Sequence, residues 1–186
     1  MLFVISAPSG AGKTSIVNAV LKDKPELVFS VSATSRPKRD GETEGKDYVF
    51  LTKEGFEEKI KGGELVEYEK LFNDHYYGTL KSFVNKSILE GKNLIFDIDV
   101  NGALSIKNLY GEKAVLIFIQ PPDKKTLRNR LISRGTETIA HIEERLKRIE
   151  MEMEAGKGFD HRVVNDDLDK AVNEVEQIIN KFKVED

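Results

Sequence analysis

The run from Leu2 to Thr14 joins a short apolar stretch, a loop of small residues and a lysine–threonine pair. It reads L-F-V-I-S-A-P-S-G-A-G-K-T, and the residues after it have helical periodicity. Backbone N–H groups of a glycine-containing loop, together with those at a helix start, bind anionic oxygens. In such a loop Lys13 reaches the β- and γ-phosphates of a nucleotide, and the Thr14 hydroxyl binds Mg²⁺. The run therefore predicts a nucleotide-phosphate site.

This loop departs from the motif G-x-x-x-x-G-K-[ST] at one position, because Ala7 replaces the first glycine. Alanine is acceptable there if its φ angle is negative. The alternative is a glycine-rich turn without a ligand, but the flanking strand and helix patterns favour phosphate binding. The residues predicted to bind the donor phosphates are Ala7, Pro8, Ser9, Gly10, Ala11, Gly12, Lys13, Thr14 and Ser15.

The composition of the 186 residues is that of an ordinary globular domain, with 39% hydrophobic and 33% charged residues. A net charge of −3 argues against a nucleic-acid binder that relies on its overall field. The absence of cysteine excludes disulfides and thiolate metal sites. Because no apolar run approaches the roughly 20 residues of a membrane span, we expect a soluble, cytoplasmic protein with no membrane partner.

Apolar, strand-like segments at 2–5, 26–31, 92–100, 114–119 and 161–164 alternate with helical patterns. Strands that alternate with helices form a parallel sheet with helices on both faces. The sequence therefore predicts an α/β fold with a parallel sheet of about five strands. The last helix is expected to bury one apolar stripe: Leu168, Ala171, Val172, Val175, Ile178, Ile179 and Phe182.

Two regions do not follow this alternation. Residues 32–45 are polar and predict a loop, 46–51 and 64–69 predict strands, and 55–61 predicts a helix, so 32–85 is interpreted as a small mixed α/β insert. Residues 124–157 are long and charged, with helical periodicity broken at 134–136. The arginines around this predicted helical hairpin are Arg128, Arg130, Arg134, Arg145 and Arg148.

Several motifs in one order resemble the guanylate kinase family over essentially the whole chain. They are the phosphate loop, S-A-T-S-R-P-K-R at 32–39, Y-Y-G-T at 76–79, D-I-D-V-N-G at 97–102, R-G-T at 134–136 and V-N-D-D at 164–167. The resemblance implies the three-layer fold of P-loop NTPases, with a core (1–31, 86–128 and 149–186), a GMP-binding insert (32–85) and a helical lid (129–148). It also implies phosphoryl transfer from ATP to GMP, and to dGMP, giving ADP and GDP.

The resemblance assigns Arg36 and Arg39 to the phosphate of GMP, with Ser32, Tyr48 and Tyr77 as hydroxyl donors. A guanidinium suits phosphate because its planar fork offers parallel charged donors. In isolation, a solvated basic loop explains the two arginines equally well.

Guanine offers two donors, N1–H and the 2-amino group, whereas adenine offers an acceptor at N1. A buried carboxylate therefore accepts from guanine and disfavours adenine. The resemblance gives this role to Glu67 and Asp99, with the Thr79 hydroxyl near O6. Alone, Glu67 on an alternating strand would more often face solvent.

The resemblance leaves three further assignments. Asp97 lies where a carboxylate acts on Mg²⁺, directly or through water, or pairs with Lys13; a structural salt bridge is the alternative. Asn165 matches a position near the adenine of ATP, or caps a helix, or does both. The lid arginines Arg130, Arg134 and Arg145 are expected to reach the transferring phosphoryl group, while Arg128 and Arg148 are interpreted as surface charge.

Two other functions stay open at this point. One is a catalytically inactive scaffold that binds protein ligands, although such a module typically loses the phosphate loop that Gly10, Gly12, Lys13 and Thr14 retain here. The other is a P-loop kinase for another phosphorylated acceptor, such as a ribose phosphate. The combination of Glu67, Thr79 and Asp99 favours a guanine acceptor.

Overall fold

The computed structural model describes residues 1–70, 74–123, 126–127 and 148–182. In chain order the strands are β1 (Leu2–Ser6), β2 (Leu27–Phe29), β3 (Ala33–Thr34), β4 (Val49–Phe50), β5 (Leu65–Lys70), β6 (Tyr76–Leu80), β7 (Asn93–Asp97), β8 (Ala114–Gln120) and β9 (His161–Val164). The helices are α1 (Lys13–Asp23), α2 (Lys53–Lys61), α3 (Lys81–Leu89), α4 (Val100–Tyr110), α5 (described over 148–155) and α6 (Leu168–Lys181).

The main sheet has five strands in the order β2-β7-β1-β8-β9, and every pairing is parallel. Helices α1 and α6 cover one face, where Phe3 and Ile5 of β1 are buried, and α4 covers the other, where Leu2 and Val4 are buried. Because both faces are covered, the strands are apolar without alternation. The predicted parallel sheet with helices on both faces is confirmed.

Helix α6 buries most of its predicted stripe, from Ala171 to Ile179. The prediction is wrong for Leu168, which is 44% exposed because it opens the helix directly after the cap, Asp167. No described helix is long and apolar enough to cross a membrane.

The second sheet has the order β4-β3-β6-β5 and is mixed, since β3 pairs parallel with β4 and antiparallel with β6. Its core is small and is built on Ala33, Phe56 and Leu65. The prediction of a loop over 32–45 is wrong at Ala33 and Thr34, which form β3. The strand predicted at 46–51 is shorter, because Gly45 (φ 71°) donates to the Tyr48 carbonyl and closes a turn.

Two elements, β6 and α3, have no counterpart in the sequence prediction, and β6 carries the site residues Tyr77 and Thr79. The strand predicted at 92–100 ends at Asp97 because Asp99 starts α4. Asp99 Oδ1 accepts from the Gly102 N–H at 2.7 Å and so caps α4. The sheet edge therefore leads directly from Asp97 to the cap of α4.

Candidate active site

The phosphate loop leaves β1, the central strand of the main sheet, and enters α1. Gly10 (φ 87°) and Gly12 (φ 91°) adopt left-handed conformations that glycine alone takes readily. Ala7 does not have a positive φ angle. This meets the condition under which alanine is acceptable in place of the first glycine. No side chain caps α1. Its first N–H groups are therefore directed at a site suited to anionic oxygens.

Lys13 and Thr14 both contact Asp97 at the end of β7. The Lys13 ammonium lies 2.6 Å from Asp97 Oδ1 and donates to the Ile98 carbonyl at 2.8 Å. The Thr14 hydroxyl donates to Asp97 Oδ2 at 2.9 Å. An ammonium has three N–H donors, so these two contacts leave one for a phosphate oxygen. Parallel pairing of β1 with β7 brings these groups together.

Asn165 follows β9 and contacts the phosphate loop from the other side. Its side-chain amide donates to the Ala11 carbonyl at 2.7 Å, and its side chain is buried. A Cβ on Gly12 would lie only 2.3 Å from Asn165 Nδ2, so both φ and space require glycine there. The helix-cap alternative for Asn165 is wrong, because Asp167 caps α6 by accepting from Lys170.

The side chains of Thr14 and Asp97 suit a magnesium ion that is also bound by phosphate. Mg²⁺ prefers oxygen ligands and commonly takes one or two from protein, with the rest from substrate phosphates and water. The described part of the chain contains no group of three or more histidine, cysteine, aspartate or glutamate side chains able to hold a metal ion. The hydroxyl and carboxylate oxygens beside the loop fit a nucleotide-bound ion better than a site formed by protein alone.

Arg36, predicted to bind the acceptor phosphate, is buried and held by Glu42. Its two terminal nitrogens donate to the Glu42 carboxylate at 3.1 and 2.6 Å, in the bidentate geometry that guanidinium forks favour. The Glu42 carboxylate also accepts from the Arg39 backbone N–H at 2.8 Å. Donation to Glu42, and then to Tyr77, raises the pKa of Arg36. Glu42 therefore orders the loop that carries both predicted phosphate-binding arginines.

Two aromatic hydroxyl residues lie around Arg36. Its guanidinium is 5.4 Å from the centre of the Tyr48 ring, and the Tyr48 and Tyr77 rings are 5.9 Å apart. Burial raises the pKa of the Tyr48 hydroxyl, which keeps it protonated as a donor. The Arg39 side chain is exposed, and Ser32, directly before β3, is half-buried. The geometry thus gathers Arg36, Tyr48 and Tyr77.

Glu67 on β5 is half-buried and forms a hydrogen-bonded pair with Thr79 on β6, which is buried. The Thr79 hydroxyl donates to Glu67 Oε1 at 2.7 Å, and the two residues are paired across the strands. Burial raises the pKa of the Glu67 carboxyl to about 7, and the nearby Asp99 carboxylate adds to the shift. Glu67 therefore does not face solvent as an unpaired strand residue would.

Asp99 approaches Glu67 from the start of α4. A Cβ at Gly102 would lie 3.2 Å from both Asp99 Oδ1 and Glu67 Oε2, so the glycine allows the two carboxylates to converge. A cavity of about 360 Å³ opens beside them, which is within the range of small-molecule sites. We call it the carboxylate pocket; Glu67, Glu69, Asp99 and Gly102 line it.

Some predicted site residues lie outside the part of the chain that the structure describes, and two residues of the site were not predicted from the sequence. The lid arginines Arg130, Arg134 and Arg145, together with Arg128, lie outside the described residues. Glu42 and Glu69 were missed because a single glutamate in a polar loop or strand forms no pattern. For Glu42, the spacing of three residues after Arg39 was an available signal, since it lets a side chain cap a tight turn.

A central parallel strand, a glycine-rich phosphate loop and an aspartate at the end of the neighbouring strand define a P-loop nucleotide-binding α/β protein. The family model described as "Guanylate kinase" matches residues 1–182. A guanylate kinase of Bacteroides fragilis is 45% identical over 97% of this chain and 89% of its own length. One from Thermotoga maritima is 48% identical over 96% and 85%, respectively.

Among solved structures, the guanylate kinase from Anaplasma phagocytophilum superposes with a TM-score of 0.77 at 28% identity. The match covers all of this chain and 87% of that one. The chain belongs to the guanylate kinase family.

Proposed function

We propose that this protein transfers the γ-phosphoryl group of ATP to GMP, and to dGMP, producing ADP and GDP or dGDP. The observation that carries the proposal is the hydrogen-bonded Glu67–Thr79 pair facing Asp99, on a chain whose phosphate loop retains Gly10, Gly12, Lys13 and Thr14. Membership of the guanylate kinase family supports the same reaction.

Base selection follows from the acceptors in the carboxylate pocket. The Glu67 and Asp99 carboxylates, which line the pocket, accept from N1–H and the 2-amino group of guanine. We assign Thr79 to the O6 side of the base, although its hydroxyl donates to Glu67 Oε1 at 2.7 Å in this structure. Adenine would bring its N1 lone pair against a carboxylate and leave a partly buried acceptor without a donor. That loss makes such sites reject the wrong base strongly.

Phosphoryl transfer requires alignment and charge rather than a general base. A GMP phosphate oxygen, already largely ionised near neutral pH, forms a bond to the γ-phosphorus while the bond to the bridging oxygen of ADP breaks. Arg36 and Arg39, with the hydroxyls of Ser32, Tyr48 and Tyr77, hold the acceptor phosphate. Lys13 and the N–H groups of the loop hold the donor phosphates.

Thr14 and Asp97 are the residues that would hold Mg²⁺, with Asp97 acting directly or through water. When bound, this ion offsets the charge of the ATP phosphates. Asp97 meanwhile orients Lys13, to which it lies at 2.6 Å. We assign Asn165 to the adenine side of ATP. We also propose that residues 129–148 form a lid, in addition to the core and the 32–85 insert, and that its Arg130, Arg134 and Arg145 act on the transferring phosphoryl group. A cytoplasmic location fits these substrates.

The test is a coupled assay of the purified chain with ATP, Mg²⁺ and a panel of acceptors: GMP, dGMP, AMP, UMP and CMP. The expected result is rapid ADP formation with GMP, appreciable turnover with dGMP and little with the other three. A P-loop kinase for another acceptor would favour a different member of the panel or a ribose phosphate. A protein-binding scaffold would turn over none of them, and either outcome would overturn the proposal.

A further inference from the structure

Arg148, at the start of the described part of α5, reaches across to the carboxylate pocket. Its Nη2 lies 3.2 Å from Glu69 Oε1 and 3.7 Å from Asp99 Oδ2. Its Nε donates to Glu152 Oε1 at 3.0 Å, one turn along the same helix. This bond aims the guanidinium at β5. Arg148 was interpreted from the sequence as surface charge, but the structure shows that it contacts Glu69, Asp99 and Glu152.

The carboxylate pocket contains more negative charge than guanine recognition requires. Glu67 and Asp99 suffice for the two donors of the base, yet Glu69 lies on the same side of β5 as Glu67 and close to Asp99. Burial, and then the Asp99 carboxylate, raise the pKa of Glu69, while Arg148 opposes the shift. Arg148 is the cation that the described residues bring against Glu69 and Asp99.

We propose that Arg148 and Glu69 form a balanced ion pair that keeps Asp99 Oδ2 available to guanine, which makes Arg148 a positioning residue for GMP. The inference rests on the proposed function. Asp99 Oδ1 is already occupied by the Gly102 N–H, so Oδ2 is the oxygen left for the base. Glu69 holds the guanidinium 3.7 Å from that oxygen, near enough to offset its charge but not bound to it at hydrogen-bond distance.

The pair makes a reciprocal prediction. Removing Arg148 leaves the Glu69 carboxylate beside Asp99 without a counter-ion, so the two like charges repel each other and displace Asp99 Oδ2. Removing Glu69 frees Arg148 to move onto Asp99 Oδ2, where it competes with guanine. Each single substitution therefore weakens GMP binding. The double substitution removes both the uncompensated Glu69 charge and the competing Arg148 guanidinium.

The experiment measures kcat and the KM values for GMP and ATP in Arg148→Ala, Glu69→Ala and the double variant. We expect each single variant to raise the KM for GMP about fivefold and the double variant to return within about twofold of the unmodified chain, as coupled neighbours do. The KM for ATP should stay unchanged in all three. Folding should survive, since the Arg148 and Glu69 side chains are 46% and 39% exposed.

Two further variants sharpen the result. Lys157→Ala removes an exposed positive charge that pairs with Glu154, outside the residues that line the pocket, and should leave both KM values unchanged. Arg148→Lys keeps the charge without the planar fork and should lie between Arg148→Ala and the unmodified chain.

Additive effects in the double variant, or an unchanged KM for GMP in Arg148→Ala, would overturn the inference while leaving GMP kinase activity intact. Failure of the unmodified chain to phosphorylate GMP would instead refute the proposed function. In that event the unfolding free energies of the same four proteins still measure whether Arg148 and Glu69 are coupled.

Discussion

The phosphate loop takes its ligand groups from one unbroken run, residues 7–15, whereas the carboxylate pocket takes them from two strands of the second sheet and a helix cap. In the loop, backbone N–H groups and two left-handed glycines create the site, and Asp97 comes from the adjacent parallel strand. In the pocket, Glu67 and Asp99 have no common element and meet only because Gly102 leaves room. On the proposed function, the site for the donor phosphates is thus built locally, and the site that selects the base is built from tertiary contacts.

This difference implies separable effects of mutation. Damage to the loop should reduce turnover with any acceptor, since the donor phosphates are common to every reaction of the chain. Damage to the pocket should change which acceptor is used and how tightly it binds. The following substitutions test that separation.

Lys13→Ala should have the largest effect, with kcat reduced about 10²–10³-fold, because the ammonium stabilises charge on the transferring group. GMP binding measured by calorimetry should be largely unchanged, since Lys13 contacts Asp97 and Ile98 and not the pocket. Lys22→Ala, an exposed position in the last turn of the same helix, is the matched control and should behave as the unmodified chain. Near-normal turnover in Lys13→Ala would exclude its role at the phosphates.

Glu67→Gln should raise the KM for GMP about 10- to 100-fold, because the amide replaces a charged acceptor with a group that presents a donor to guanine. The KM for ATP should remain within experimental error. Glu64→Gln alters an exposed glutamate that pairs with Lys59 at the start of the same strand region, and should change neither value. Equal losses of GMP and ATP affinity would show that Glu67 stabilises the fold and does not select the base.

The contrast between local and tertiary construction also explains which parts of the fold the sequence predicts. The strand–loop–helix over 2–23 is visible because its apolar periodicity and its glycines are local signals. The last strand, His161–Val164, has the predicted bounds for the same reason. The parallel order follows from alternation of strands and helices.

The carboxylate pocket could not be predicted from local sequence signals. β3 is two residues long and exists through its pairing with Gly78 and Tyr77, more than forty residues away. Arg148 meets Glu69 across a separation of 79 residues, so no local pattern connects them. Family resemblance assigned Glu67, Thr79 and Asp99 by position, but only the fold reveals the pairing of Glu67 with Thr79 and the space left at Gly102.

Glu42→Gln tests whether the phosphate end of the acceptor site is also built by tertiary contacts. Losing the charge-assisted bidentate bond to Arg36 should loosen the guanidinium and raise the KM for GMP about fivefold, with kcat less affected. Asp40→Asn, an exposed carboxylate in the same loop, is the control. Tighter GMP binding in Glu42→Gln would mean that Glu42 competes with the phosphate for Arg36 and does not order it.

The smallest expected effect is a pH-dependent difference in stability between Glu67→Gln and the unmodified chain. The folded pKa of Glu67, about 7, lies above that of an unfolded glutamate, so ionisation destabilises the folded state. This destabilisation is absent below about pH 4, grows as pH rises towards 7 and is constant above it. Glutamine cannot ionise, so the variant should match the unmodified chain at pH 5 more closely than at pH 8, where its Tm should be higher by a few degrees.

Saturating GMP should close the gap at pH 8 in the unmodified chain, because guanine donors stabilise the ionised carboxylate, and AMP should not. A difference in Tm that is the same at both pH values would show that Glu67 is ionised throughout. The pocket would then hold an acceptor that stays charged at both pH values.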